Sequence, residues 1–184
     1  MSETNINLAK NAMNYGGITG VFLFLIYLLS AIVSEPASFV VSLLNYLVIG
    51  IGIFIGTKKF RDQQMNGSIS YRKAMHSGIL ISLFAGILIA FATYLYLNFV
   101  DSSMIEKTLQ QTEANLLDAG KSDEEVEKTI DALSTIMTPG MMATAIVISY
   151  SFFGALISLI TSAFIKNNGS GSSNTFNNFI QENS

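Results

Sequence analysis

The sequence has no cysteine and a single histidine, His76. The first absence excludes disulfides, iron–sulfur clusters, thiolate zinc sites and every cysteine nucleophile. The second leaves almost nothing from which to build a metal centre or an acid–base pair. Charge is scarce as well: 12% of the residues are charged, where a soluble domain carries about 25%. Hydrophobic residues make up 50%, and the mean hydropathy is +0.46. So little charge cannot coat a globule of 184 residues, and the composition is that of a membrane protein.

What the chain has instead is long uncharged runs. A bilayer's hydrocarbon core asks for about 20 uncharged residues per helical crossing. Four gaps between charges qualify: 24 positions from Lys10 to Glu35, 22 from Glu35 to Lys58, 27 from Lys73 to Asp101 and 34 from Asp131 to Lys166. They place spans at 15–33, 38–56, 74–97 and 142–165. Alternating apolar and polar positions are absent, so the element that satisfies its own backbone in lipid is the α-helix. A buried soluble helix explains one such run, but rarely beyond about 14 apolar residues. A cleaved signal peptide is the alternative for the first run. Its apolar region is too long for that, and no small-x-small site precedes Glu35-Pro36.

Orientation follows from the cations, which resist translocation. The second loop holds Lys58, Lys59, Arg61, Arg72 and Lys73 against Asp62, a net +4, and shares its side with Lys10 and Lys166. The third loop holds three cations, Lys107, Lys121 and Lys128, against nine acids, a net of −6. Seven cations against three place both termini in the cytoplasm and the acidic loop outside. The basic loop reads first as this topology signal, and second as a surface to which anionic lipid adheres.

Residues 102–138 read as an extramembrane αα-hairpin with helices at 104–119 and 123–137. Each opens on a capping box, Ser103 with Glu106 and Ser122 with Glu125. Gly120 suits the left-handed stop of the first helix, and Thr138-Pro139-Gly140 ends the second. Ile105, Leu109 and Leu116 form one apolar stripe; Val126, Ile130, Leu133 and Met137 form the other. Such a pair is too small to be stable alone and must lean on the membrane domain, the bilayer or a partner. Asp123-Glu124-Glu125 invites a calcium reading, but the spacing and central glycine of a calcium loop are missing. A helix N-terminus, which favours negative charge, explains the same residues.

Within lipid, helices meet where small side chains let backbones approach. The third span supplies Gly78, Ser82, Gly86 and Ala90, the fourth Gly154, Ser158 and Ser162, the second Gly52 and Gly56, and the first Gly16 and Gly20. Packing within the chain is the reading adopted, with a homodimer through one groove as the alternative. No Asp, Glu, Lys or Arg lies inside a span. His76 sits at the basic end of the third span, and Asn45, at mid-depth in the second, is expected to bond a neighbouring helix. Tyr15, Tyr27, Tyr71, Tyr94, Tyr96 and Phe99 mostly fall near interfaces, as anchors. Met141-Met142 reads as apolar filler before it reads as a soft metal site. Gly50, Gly52 and Gly56 lie inside a span, which is no place for a phosphate loop. The tail 167–184, rich in Asn, Ser and Gly, is expected to be disordered, with Phe176, Phe179 and Ile180 as a weak contact.

Several of these residues form a recognisable arrangement: Tyr15-Gly16 opening the first span, Gly67-Ser68-Ile69-Ser70-Tyr71 leading through Lys73-Ala74 to Gly78, Asp101 after the third, and Met137-Thr138-Pro139-Gly140-Met141-Met142 opening the fourth. The arrangement resembles the bacterial membrane family called domain of unknown function 4199. Where that family has Asp-Pro, this chain has Asp101-Ser102. The resemblance implies four spans in the inner membrane of a Gram-negative bacterium, and it implies no activity.

The expected fold is therefore all-α: an integral membrane four-helix bundle with an extramembrane αα-hairpin between spans three and four, and a cytoplasmic tail. The expected function is non-enzymatic, a structural, assembly or accessory role with hairpin 102–138 as the partner-contact element. The alternative is a subunit of a small oligomeric transporter or channel, with Asn45 and the Ser and Thr of the last two spans facing a path. A third option, a lipid-active enzyme, would use Arg72, Lys73 and His76. No catalytic, cofactor-binding or metal-binding residue is expected. The expected partners are membrane lipid, a protein met through the hairpin and a second copy of the chain, and not nucleic acid.

Overall fold

A computed structural model describes residues 3–30 and 35–167. Six helices follow one another: α1 (Glu3–Ser30), α2 (Glu35–Gln64), α3 (Tyr71–Phe99), α4 (Ser103–Asp118), α5 (Asp123–Ile136) and α6 (Pro139–Ile165). Among the described residues, α1, α2, α3 and α6 are long and apolar enough to cross a membrane. The chain is an all-α membrane bundle carrying an αα-hairpin.

These helices outrun the apolar stretches that announce them. Hydrocarbon thickness sets where charge is forbidden and leaves the helix free to continue into water. Thus α1 begins a dozen residues before Tyr15, and α2 carries Lys58, Lys59 and Arg61 on its last turns, about 45 Å from end to end. Similarly α6 starts at Pro139, whose fixed φ and missing N–H suit a first helical position. The end of the first span, expected at Val33, lies outside the described residues, as does the tail beyond Asn167.

Helix α3 is the centre: α1 and α6 pack along it, and α2 closes the bundle against all three. The contacts are made through small residues, which lets dispersion and backbone proximity replace a hydrophobic drive that lipid cannot supply. A Cβ on Gly16 would meet the Ile81 carbonyl and Phe84 at 2.7 Å, and one on Gly56 would meet Tyr15 at 2.8 Å. Between α3 and α6 the fit is reciprocal: Gly78 receives Ser158, and Gly154 receives Ser82. The grooves foreseen in the sequence are thus covered within the chain. Buried Ser158 and Thr19 hydroxyls donate to the carbonyls of Gly154 and Tyr15, four residues back, and so need no distant partner. Tyr15 is half-buried, packed against Ala12, Ile49, Ile53 and Ile81.

Candidate functional site

At one end of the bundle the helix termini carrying the cations meet. Phe60, Ile69, Ala74 and Ile165 form a small buried cluster with Leu8 and Met65 against it. The chain turns from α2 to α3 through left-handed Asn66 and Gly67, with φ of 49° and 77°. Ile69 and Asn167 then pair as an isolated antiparallel bridge, N–H to carbonyl at 2.9 and 3.1 Å. The Ser68 hydroxyl donates to the Asn167 carbonyl at 2.8 Å. Arg61 Nη1 donates to the carbonyl of Ile165 at 3.1 Å, a cation placed on the orphan carbonyls ending α6. Asn167, read from the sequence as the start of a disordered tail, is therefore fixed structure. Arg61, counted there only as topology, ties α2 to α6.

Lys10, Lys58, Lys59, Arg72, Lys73, His76 and Lys166 stay exposed around that cluster. Arg72, Lys73 and His76 lie exposed on the first turns of α3.

The opposite end carries the hairpin. Helix α4 does not open on Ser103 as its cap. Asp101 takes that role, since its Oδ1 accepts the Ser103 N–H at 2.9 Å and the Ser103 hydroxyl at 2.6 Å. A carboxylate is the stronger acceptor, and the serine becomes its donor. Those bonds, led by the Ser103 hydroxyl and aided by Lys107, hold the Asp101 carboxyl below the usual carboxylate range. This also accounts for Asp101-Ser102 where a proline was expected: Asp101 sets the turn by capping. Helix α4 ends as foreseen, with Gly120 at φ 77°. The N–H groups of Gly120 and Lys121 reach back to the carbonyls of Leu117 and Leu116, a Schellman closure. Helix α5 opens as foreseen, Ser122 Oγ accepting the Glu125 N–H at 3.4 Å.

The hairpin meets the bundle at the start of α4. The Tyr27 hydroxyl lies 3.2 Å from Met104 Sδ, and the Tyr27 ring sits edge-on to Tyr96. Along its length only Val126 is buried. Lys128 pairs with Glu124, Lys121 with Glu125 and Lys107 with Asp101. Among the described residues, Glu106, Glu113, Asp118, Asp123, Glu127 and Asp131 have no cation within ion-pair distance, and all six are exposed.

Between the two ends, Asn45 accepts a hydrogen bond from the Tyr150 hydroxyl of α6 at 3.3 Å, the interhelical bond expected of it. Of the span serines, Ser42 and Ser149 line a cleft beside it, whereas Ser77, Ser82, Thr93, Ser158 and Ser162 are buried in the helix seams. Met141 and Met142 line an apolar groove with Ile136, Met137 and Ile146.

A family model described as protein of unknown function (DUF4199) matches residues 14–167. No curated protein and no solved structure matches the chain.

Proposed function

Because the chain belongs to the DUF4199 family of proteins of unknown function, which brings architecture and no reaction, we propose that it is a non-enzymatic accessory protein of a bacterial inner membrane. In this reading the acidic hairpin faces outward and docks a partner with a basic surface, while both termini and the cationic end lie in the cytoplasm. One observation carries it: six exposed carboxylates without cations share a helical pair that buries a single side chain, Val126. A unit so small gains little from its own core. Its like charges repel, and a cationic partner surface relieves both deficits. The Asp101 cap and the Tyr27–Met104 contact present the hairpin at a fixed place on the bundle.

Purification in mild detergent tests it, comparing the full chain with a variant in which Glu113, Asp118, Asp123 and Glu127 are Lys. The expected result is loss of one co-purifying protein from the variant, at unchanged bundle stability. Identical partners for both proteins would refute the hairpin's role. Reagent access to a cysteine placed at the exposed Ala119 in intact spheroplasts tests the orientation.

A further inference from the structure

Where α2 and α6 face the lipid side of the bundle, a cleft of about 310 Å³ opens between Asn45, Tyr46, Ser149, Tyr150 and Phe153. Ser149 and Tyr150 also line a neighbouring groove of about 420 Å³, with Met137, Met141 and Met142 on its walls toward the hairpin end. Asn45 lies ten residues from Glu35 and thirteen from Lys58, so the polar part sits near mid-membrane, about 15 to 20 Å from either charge. Its hydrogen-bond accounts are open. Asn45 gives one amide N–H to the Val41 carbonyl at 3.2 Å and accepts from Tyr150, which leaves its second N–H. The Tyr46 hydroxyl makes no hydrogen bond among the described residues, and its ring stands edge-on to Phe153 at 5.4 Å.

Unspent donors at this depth are costly unless something accepts from them. A phospholipid does not suit, because its charged head belongs at the interface, and its tails carry no acceptor where the cleft needs one. A second copy of the chain is disfavoured as well: the seam glycines Gly16, Gly78, Gly86 and Gly154 meet neighbours inside the bundle, and the exposed residues around the cleft are the bulky Tyr46, Leu47, Phe152 and Phe153. We infer that the cleft binds an uncharged, membrane-dissolved amphiphile with a planar, carbonyl-bearing head and a flexible apolar tail, the chemistry of an isoprenoid quinone. The head carbonyl takes the Tyr46 hydroxyl and the free Asn45 N–H, and the tail lies along Met137, Met141 and Met142, whose unbranched side chains adapt to it. This inference stands apart from the hairpin reading and involves binding only.

The test uses the full chain in phosphatidylcholine nanodiscs with decylubiquinone as the probe and decane as the control, read as a saturable rise in melting temperature. Decylubiquinone raises it and decane does not. Tyr46→Phe, which breaks no bond within the chain, weakens the apparent affinity roughly tenfold with the ligand-free melting temperature unchanged. Asn45→Leu weakens it at least as much. No saturable shift, or equal shifts in wild type and Tyr46→Phe, overturns the proposal. A disulfide-linked dimer formed by Leu47→Cys, the sole cysteine in that variant, would give the face to a second copy and overturn it also.

Discussion

At the basic end of the bundle, Phe60, Ile69 and Ile165 are each 1% exposed, and a loop is stitched to the end of α6 by backbone pairs and a guanidinium. At the other end, helices of 16 and 14 residues bury one side chain between them. Both are connections between spans, yet one is part of the core and the other is mounted on it. The contrast shows where a partner can act. Binding energy applied to a clamped loop changes little, whereas applied to a marginal hairpin it shifts a population. The seams of α3 set the upper limit of the same scale, because there helix backbones touch through glycine.

The largest effect is therefore expected in a seam. Gly154→Val places branched carbons onto Ser82 and forces α6 away from α3, at a cost of about 3 kcal/mol. Thermal unfolding in detergent should show an early loss of the whole bundle. Gly17→Ala is the control, since nothing lies within 4 Å of the added carbon, and it should leave the transition in place or raise it. Equal melting of Gly154→Val and wild type would mean that α3 and α6 are not in contact there.

Next comes the clamp. Arg61→Ala leaves the Ile165 carbonyl without its charged donor, an expected loss of about 2 kcal/mol. Proteolysis between 65 and 70 should accelerate, and the hairpin should be unaffected. Val126→Ala inverts the pattern. It removes most of the one buried side chain of the hairpin, costing about 1.5 kcal/mol, which should appear as proteolysis between 103 and 136 with the bundle transition unmoved. If Val126→Ala lowered the bundle transition as far as Arg61→Ala does, the two ends would not be independent.

These contrasts explain what the sequence could and could not announce. Span number, the left-handed stop at Gly120 and the Ser122 cap were legible because each depends on residues a few positions apart. The grooves of Gly16, Gly78 and Gly154 were legible as faces, since a four-residue repeat is a surface property of one helix. Their pairing was not, because which groove meets which is decided between helices. The bridge from Ile69 to Asn167 and the reach of Arg61 to Ile165 join positions about a hundred residues apart and have no local signal. Tyr15 was legible by its place near a span end, but its packing against Ile49, Ile53 and Ile81 of two other helices was not. Asn45 showed itself as a lone amide at depth, while its partner Tyr150 was hidden among ordinary aromatics.

The smallest effect concerns Asp101, whose carboxylate caps the start of α4. Its carboxyl is held below the ordinary 3.8 by the bonds to Ser103, opposed in part by desolvation. A carboxyl depressed in the folded state contributes stability that is complete above the unfolded value and is lost as pH falls through the lower native one. Amide exchange across 103–106, followed from about pH 5 to about pH 2, should show the first turn of α4 opening in wild type as Asp101 takes up its proton. Asp101→Asn keeps the shape and the neutral acceptor but not the charge. Its first turn should be looser at pH 5 and should lack the wild type's further opening on acidification. Parallel pH profiles for the two proteins would show that Asp101 does not hold the start of α4.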